Sequence, residues 1–163
     1  MRFGEFGCAV AAFGLLAAPG SAAAASEELA QIVAVQQVRG KCTETLHTGR
    51  IPREQSCLSV VFYMEFSDGM RGIAFSNGSN FFSFVGKGTS WKQKSGGRID
   101  VSLLLTGAGE NAAEFPAKGY CRFDNLHAGK EVAIACAATM KAGHWSAAFR
   151  TDGKPPVEVK LKD

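Results

Sequence analysis

Residues 57–88, CLSVVFYMEFSDGMRGIAFSNGSNFFSFVGKG, hold three runs of β-branched and aromatic residues cut apart by Asp68-Gly69 and Asn77-Gly78. Dipeptides of this kind favour tight hairpins, because both central positions of the turn need φ above zero. A stretch punctuated so closely has no room for a helix of useful length and must fold as short antiparallel strands. A two-residue turn at Asp68-Gly69 sets Phe62 opposite Phe75 and Met64 opposite Ile73, a single apolar face. In the next run Phe82 and Phe84 share a face, and strand alternation turns Phe81 the other way.

The pattern continues to the C-terminus. TSWKQK, the turn Ser95-Gly96-Gly97, RIDVSLLLT, KGYCRFDN, EVAIACAATM, HWSAAFR and VEVKLK read as further strands and turns. About nine short strands result, which defines an all-β, mostly antiparallel single domain built as a sandwich or a meander barrel. Residues 27–38, EELAQIVAVQQV, read as a short N-terminal helix feeding a strand, since Glu27 and Glu28 suit a helix start.

Ahead of that segment, MRFGEFGCAVAAFGLLAAPGSAAAA has the order of a secretory signal: Arg2, an apolar run from Phe6 to Ala18, a Pro19-Gly20 break and small residues before a cut. The reading is therefore a signal over residues 1–25, a mature domain over 26–163, and a periplasmic or secreted location. The apolar run falls short of the ~20 residues that cross a bilayer, so no transmembrane segment is expected. Cleavage removes one base and one acid, leaving the formal net charge at +3. That excess is too small for a nucleic-acid partner.

Export gives the cysteines their meaning. Cys42, Cys57, Cys121 and Cys136 form an even set, as a disulfide framework requires. If His127 to Lys130 form a hairpin loop, Leu126 meets Glu131, Phe123 meets Ile134 and Cys121 meets Cys136. One face of that hairpin is then apolar and the cysteines stand directly opposed. Cys42–Cys57 closes the loop around Ile51-Pro52. Each closed loop of ~15 residues is worth about 3 kcal/mol in the chain-entropy model.

Chemistry-bearing motifs are sparse. The three histidines, His47, His127 and His144, lack the short spacing of a zinc frame; His47 and His127 share a Leu-His-x-Gly-basic string and are the candidates for a metal carrier. A Gly-x-Ser-x-Gly elbow and a His-Glu-x-x-His motif are both absent, so a hydrolase would need a loop-built site using His127 or His144. No cofactor is called for. The leading reading is a non-catalytic binding domain whose partner is a protein, an envelope polymer or a small apolar ligand. Its candidate surface is the strand carrying Phe81 and Phe82, with Trp91 nearby.

Overall fold

The computed structural model of the chain describes residues 30–47, 57–78, 80–108 and 111–161. Residues 1–29, which include the stretch read as a secretory signal, and residues 48–56 around Ile51-Pro52 lie outside the described residues. Nine strands follow in order: β1 (Ile32–His47), β2 (Val60–Phe66), β3 (Arg71–Ser76), β4 (Phe81–Gly88), β5 (Gly97–Ala108), β6 (Asn111–Phe123), β7 (Ala133–Met140), β8 (Gly143–Thr151) and β9 (Val157–Val159). Every pairing is antiparallel, and each strand from β2 to β8 lies beside its sequence neighbour. Among the described residues there is no helix.

β1 closes this sheet into a barrel. Its first half, Ile32 to Arg39, pairs with β2, and its second half, Gly40 to His47, pairs with β8. β9 continues along the same edge as β8, taking Val35 to Gln37. The architecture is an eight-stranded meander barrel with one extra strand. Closure leaves the eight ring strands no common open edge, which antiparallel sheets otherwise have to protect. Gly40 sits where β1 changes partners, and a Cβ there would run into the Arg150 carbonyl of β8. Its own N–H donates to the Ser59 carbonyl at 3.0 Å, on the β2 side.

Inward-facing side chains fill the barrel. Val38, Val61, Ile73, Phe75, Phe84, Ile99, Cys121, Ile134 and Phe149 are all buried. Phe75 meets Phe84 edge-on at 5.9 Å, and Tyr63 meets Phe123 at the same distance. A barrel of eight strands is just wide enough for such packing. Both disulfides pair as expected, Cys42 with Cys57 and Cys121 with Cys136. The 119–136 hairpin takes the expected register, with Cys121 opposite Cys136 and Phe123 opposite Ile134.

Three expectations are corrected. Of the short helix read over residues 27–38, the start at Glu27 and Glu28 lies outside the described residues, and from Ile32 onward the chain is strand: β2 satisfies one edge, β9 the other at Val35 to Gln37, and the β-branched residues fit the pleat. TSWKQK is a pair of turns, with Gln93 N–H donating to the Ser90 carbonyl and Gly96 N–H to that of Gln93. The β2–β3 register slips by one residue. Val61 faces Phe75 and Tyr63 faces Ile73, because Ser67, Asp68 and Gly69 form a three-residue loop. Met70 N–H donates to Asp68 Oδ1 at 2.9 Å, and Gly69 takes φ +81°, the left-handed position of a bulged hairpin turn. A slip of one residue exchanges the faces of a strand. Val61 and Tyr63 therefore enter the barrel, and Phe62 and Met64 go outside.

Replacing Gly40 with Ala should force β1 away from β8 and cost about 3 kcal/mol, the upper range for overpacking. Urea denaturation checks this; an unchanged midpoint would show that closure does not depend on the close approach at Gly40.

Candidate functional site

Adjacent strands from β2 to β5, joined at the margins by Ile32 of β1 and Ala112 of β6, build an apolar trough on the outside of the barrel. Their registers stack side chains into rows. One row runs Val60, Ser76, Phe81, Gly107, Ala112; the next Phe62, Ala74, Ser83, Leu105; the third Met64, Gly72, Val85, Leu103. β3 and β4 contribute small residues at the centre, Ala74 against Ser83, while β2 and β5 place Phe62 and Leu105 on either side. The result is a groove of about 500 Å³, lined chiefly by Ile32, Phe62, Met64, Phe66, Phe81 and Leu105. Its polar lining is two hydroxyls, Ser76 and Ser83, and no charged side chain contributes.

The floor is firm. Val85, Met64, Phe66, Ala74 and Val35 pack as a second hydrophobic cluster separate from the barrel interior. Gly72 leaves the space that Met64, Phe66 and Val85 occupy, since a Cβ there would approach all three within 3.4 Å. Val159 and Val157 extend the apolar surface across β1 through their pairing with Val35 and Gln37. From β9 to β5 the band crosses six strands, roughly 24 Å at the usual strand spacing. Ile32 and Val157 on this wall are 42% and 57% exposed, so the band is open to solvent.

The residues singled out from sequence separate. Phe81 is half-exposed and lines the trough. Phe82 is buried in the barrel interior against Trp145, ring centroids 4.8 Å apart. Trp91 lies at the opposite end of the barrel, in the β4–β5 loop, stacked on His127 at 5.0 Å. The trough residues Phe62, Met64 and Leu105 carried no separate sequence signal. Their role appears only when strands distant in sequence are laid side by side.

The three histidines lie on different elements, His47 on β1, His127 in the β6–β7 loop and His144 on β8. His47 pairs with Ser146 near the β7–β8 turn, whereas His127 is in the β6–β7 loop at the other end. His144 Nδ1 lies 3.2 Å from Thr139 Oγ1, and neither His127 nor His144 has a carboxylate partner among the described residues. No three His, Cys, Asp or Glu side chains cluster among the described residues in a way that would hold a metal.

The end of the barrel that carries Trp91 is tied shut. Tyr63 Oη donates to the Thr89 carbonyl at 2.8 Å, and Ser90 Oγ donates to Glu65 Oε1 at 3.0 Å. Arg71 Nη1 donates to the Gly88 carbonyl at 2.8 Å and its Nε faces Glu65 at 3.6 Å. These contacts hold the β4–β5 loop over a packed interior at that end.

Burial pushes the Tyr63 phenol well above the usual tyrosine range, an effect the nearby Arg71 charge partly offsets. A raised acid pKa in the fold means that the unfolded chain loses its proton first. Tyr63 therefore supports the fold fully below pH about 10, and above it stability should fall by about 1.4 kcal/mol per pH unit. Tyr63→Phe should flatten that decline in urea unfolding measured at alkaline pH. An equally steep decline in the variant would place the effect elsewhere.

Comparison of the chain with protein-family models, curated proteins and solved structures finds no match, so the functional reading rests on this geometry alone.

Proposed function

We propose that this chain is an exported, non-catalytic binding domain, and that its outer trough takes an uncharged, apolar ligand. The observation that carries the reading is a groove of about 500 Å³ lined by aromatic and aliphatic side chains with no charge among them. Pockets for small molecules typically measure about 300–1,000 Å³ and are mostly apolar, with a few polar groups that orient the ligand. Ser76 and Ser83 supply such groups here. Open apolar bands of this width are uncommon on monomeric proteins and mark contact surfaces.

Export is part of the same proposal. Two disulfides fit an oxidising compartment, and the order of residues 1–25 is that of a signal segment. On this reading residues 26–163 act in the periplasm or outside the cell.

A neutral apolar dye such as N-phenylnaphthylamine tests the trough. Its fluorescence should rise on mixing with the protein. Phe81→Ser should weaken the dye's affinity about tenfold while leaving the fold intact, since one large apolar contact is worth about 1.5–3 kcal/mol. Phe82→Ser removes a buried ring instead and should destabilise the barrel by about 3–5 kcal/mol. Ala74→Leu, which fills the floor, should abolish dye binding in a folded protein. Undiminished dye binding in both Phe81→Ser and Ala74→Leu would sink the proposal.

A further inference from the structure

Farther along β5 and β6, away from Leu105 and Ala112, the outer face carries an arrangement that apolar binding does not explain. β5 and β6 pair so that Arg98 stands directly opposite Arg122, and Asp100 opposite Tyr120. Like charges set directly across a strand pair are destabilising. The local chemistry only partly compensates. Arg98 Nε contacts Asp100 Oδ1 at 2.6 Å, in an exposed pair. Arg122 has no acidic partner among the described residues.

Both guanidinium groups are instead held against one ring. Arg98 Cζ lies 4.6 Å and Arg122 Cζ 5.2 Å from the centre of Tyr120, which is 41% exposed. Stacking on the ring limits the freedom of two long side chains, while most of their N–H donors stay unused. Beside them lies a hollow of about 320 Å³, floored by Ala133 and Ala135 of β7 and edged by the turn at Ser95 and Gly97. The floor residues are too short to shield the arginines. Asp124 also borders the hollow without forming an ion pair, and it would disfavour an anion pushed toward the β6–β7 loop. Lys118 stands two residues before Tyr120 on the same exposed face of β6 and adds positive charge at the far side of the ring.

From this geometry we infer that Arg98, Tyr120 and Arg122 form an oxyanion site for a phosphate monoester. Planar guanidinium forks match the oxygens of a phosphate in a two-point contact, and a dianion would relieve the repulsion between the opposed arginines. Tyr120 and the alanine floor offer an apolar shelf for the group that bears the ester. The site shares no lining residue with the trough and does not depend on the proposal made for it. The ester belongs either to a soluble molecule or to a lipid headgroup, and the test separates the two.

Phenyl phosphate is titrated into the protein while the Arg Nε–H resonances are followed by NMR. Vesicles of phosphatidic acid in phosphatidylcholine are tested in parallel by co-sedimentation. Arg122→Gln and Arg98→Gln should each weaken binding about tenfold, the loss of one charge-assisted contact. Lys160→Gln, an equal charge change beyond β9, should not weaken it. Tyr120→Phe should bind as the parent does, and Tyr120→Ala should bind less tightly. Binding of phenyl phosphate identifies a soluble ester, and binding of vesicles alone identifies the lipid headgroup; either supports the site. Failure to bind in both arms overturns it, as does equal weakening by Lys160→Gln, which would mark mere attraction to net positive charge.

Discussion

Everything in this molecule depends on one strand serving two neighbours. β1 gives its first half to β2 and its second half to β8, and the change of partner at Gly40 turns an open meander into a ring. At that point the Asp152 N–H donates to the Arg39 carbonyl at 2.9 Å, so the chain leaving β8 is held to the strand it has just closed upon. Thr151 secures the next contact, accepting from Val132 N–H through its hydroxyl and donating its own N–H to the Val132 carbonyl. With the ring closed, each of the eight ring strands has a hydrogen-bonded neighbour on either side along part of its length, and the interior is packed with aromatic and aliphatic side chains.

The two outer walls differ in kind. From β9 through β1 to β5 the exposed positions carry valine, phenylalanine, methionine and leucine, and their small central residues hollow the surface into a trough. From the first half of β5 to β8 they carry arginine, lysine, aspartate and serine among alanines. A ligand that suits one wall is a poor fit to the other: an apolar molecule would leave the arginines unpaired, and an anion would be desolvated in the trough without a donor. The two chemistries are thus separated along β5 and β6, with Leu105 and Ala112 at the trough and Arg98 and Arg122 toward the other end of the same strands.

Much of the fold was legible because strand alternation and turn residues agree. The 119–136 hairpin reads correctly because only one of its faces is apolar and the cysteines fall on that face. The β2–β3 hairpin misleads for the opposite reason. VVFYMEF is apolar on both faces, so pattern alone does not choose a register, and the carboxylate of Asp68 decides it by capping a longer turn. That one-residue difference hides the trough, because it puts Phe62 and Met64 in the core on paper and on the surface in the fold. β6 also runs further than its sequence suggests. Pro116 lies within it opposite Leu103, beside a register shift and outside the ladder to β7, which begins at Lys118, so its missing N–H costs little. The opposed arginines are likewise invisible until β5 and β6 are paired.

The two disulfides occupy unequal places. Cys121 and Cys136 lie inside the barrel and are buried, whereas Cys42 and Cys57 are half-buried beside the loop that follows β1. A thiol must reach a sulfur to exchange with it, so access grades the two bonds. A reducing encounter would therefore reach the Cys42–Cys57 bond first while the barrel keeps its inner link, so the chain could lose one covalent constraint with its strand ring still cross-linked. Of the two, the outer bond is the one open to its surroundings, and the inner bond is shielded by the barrel it links.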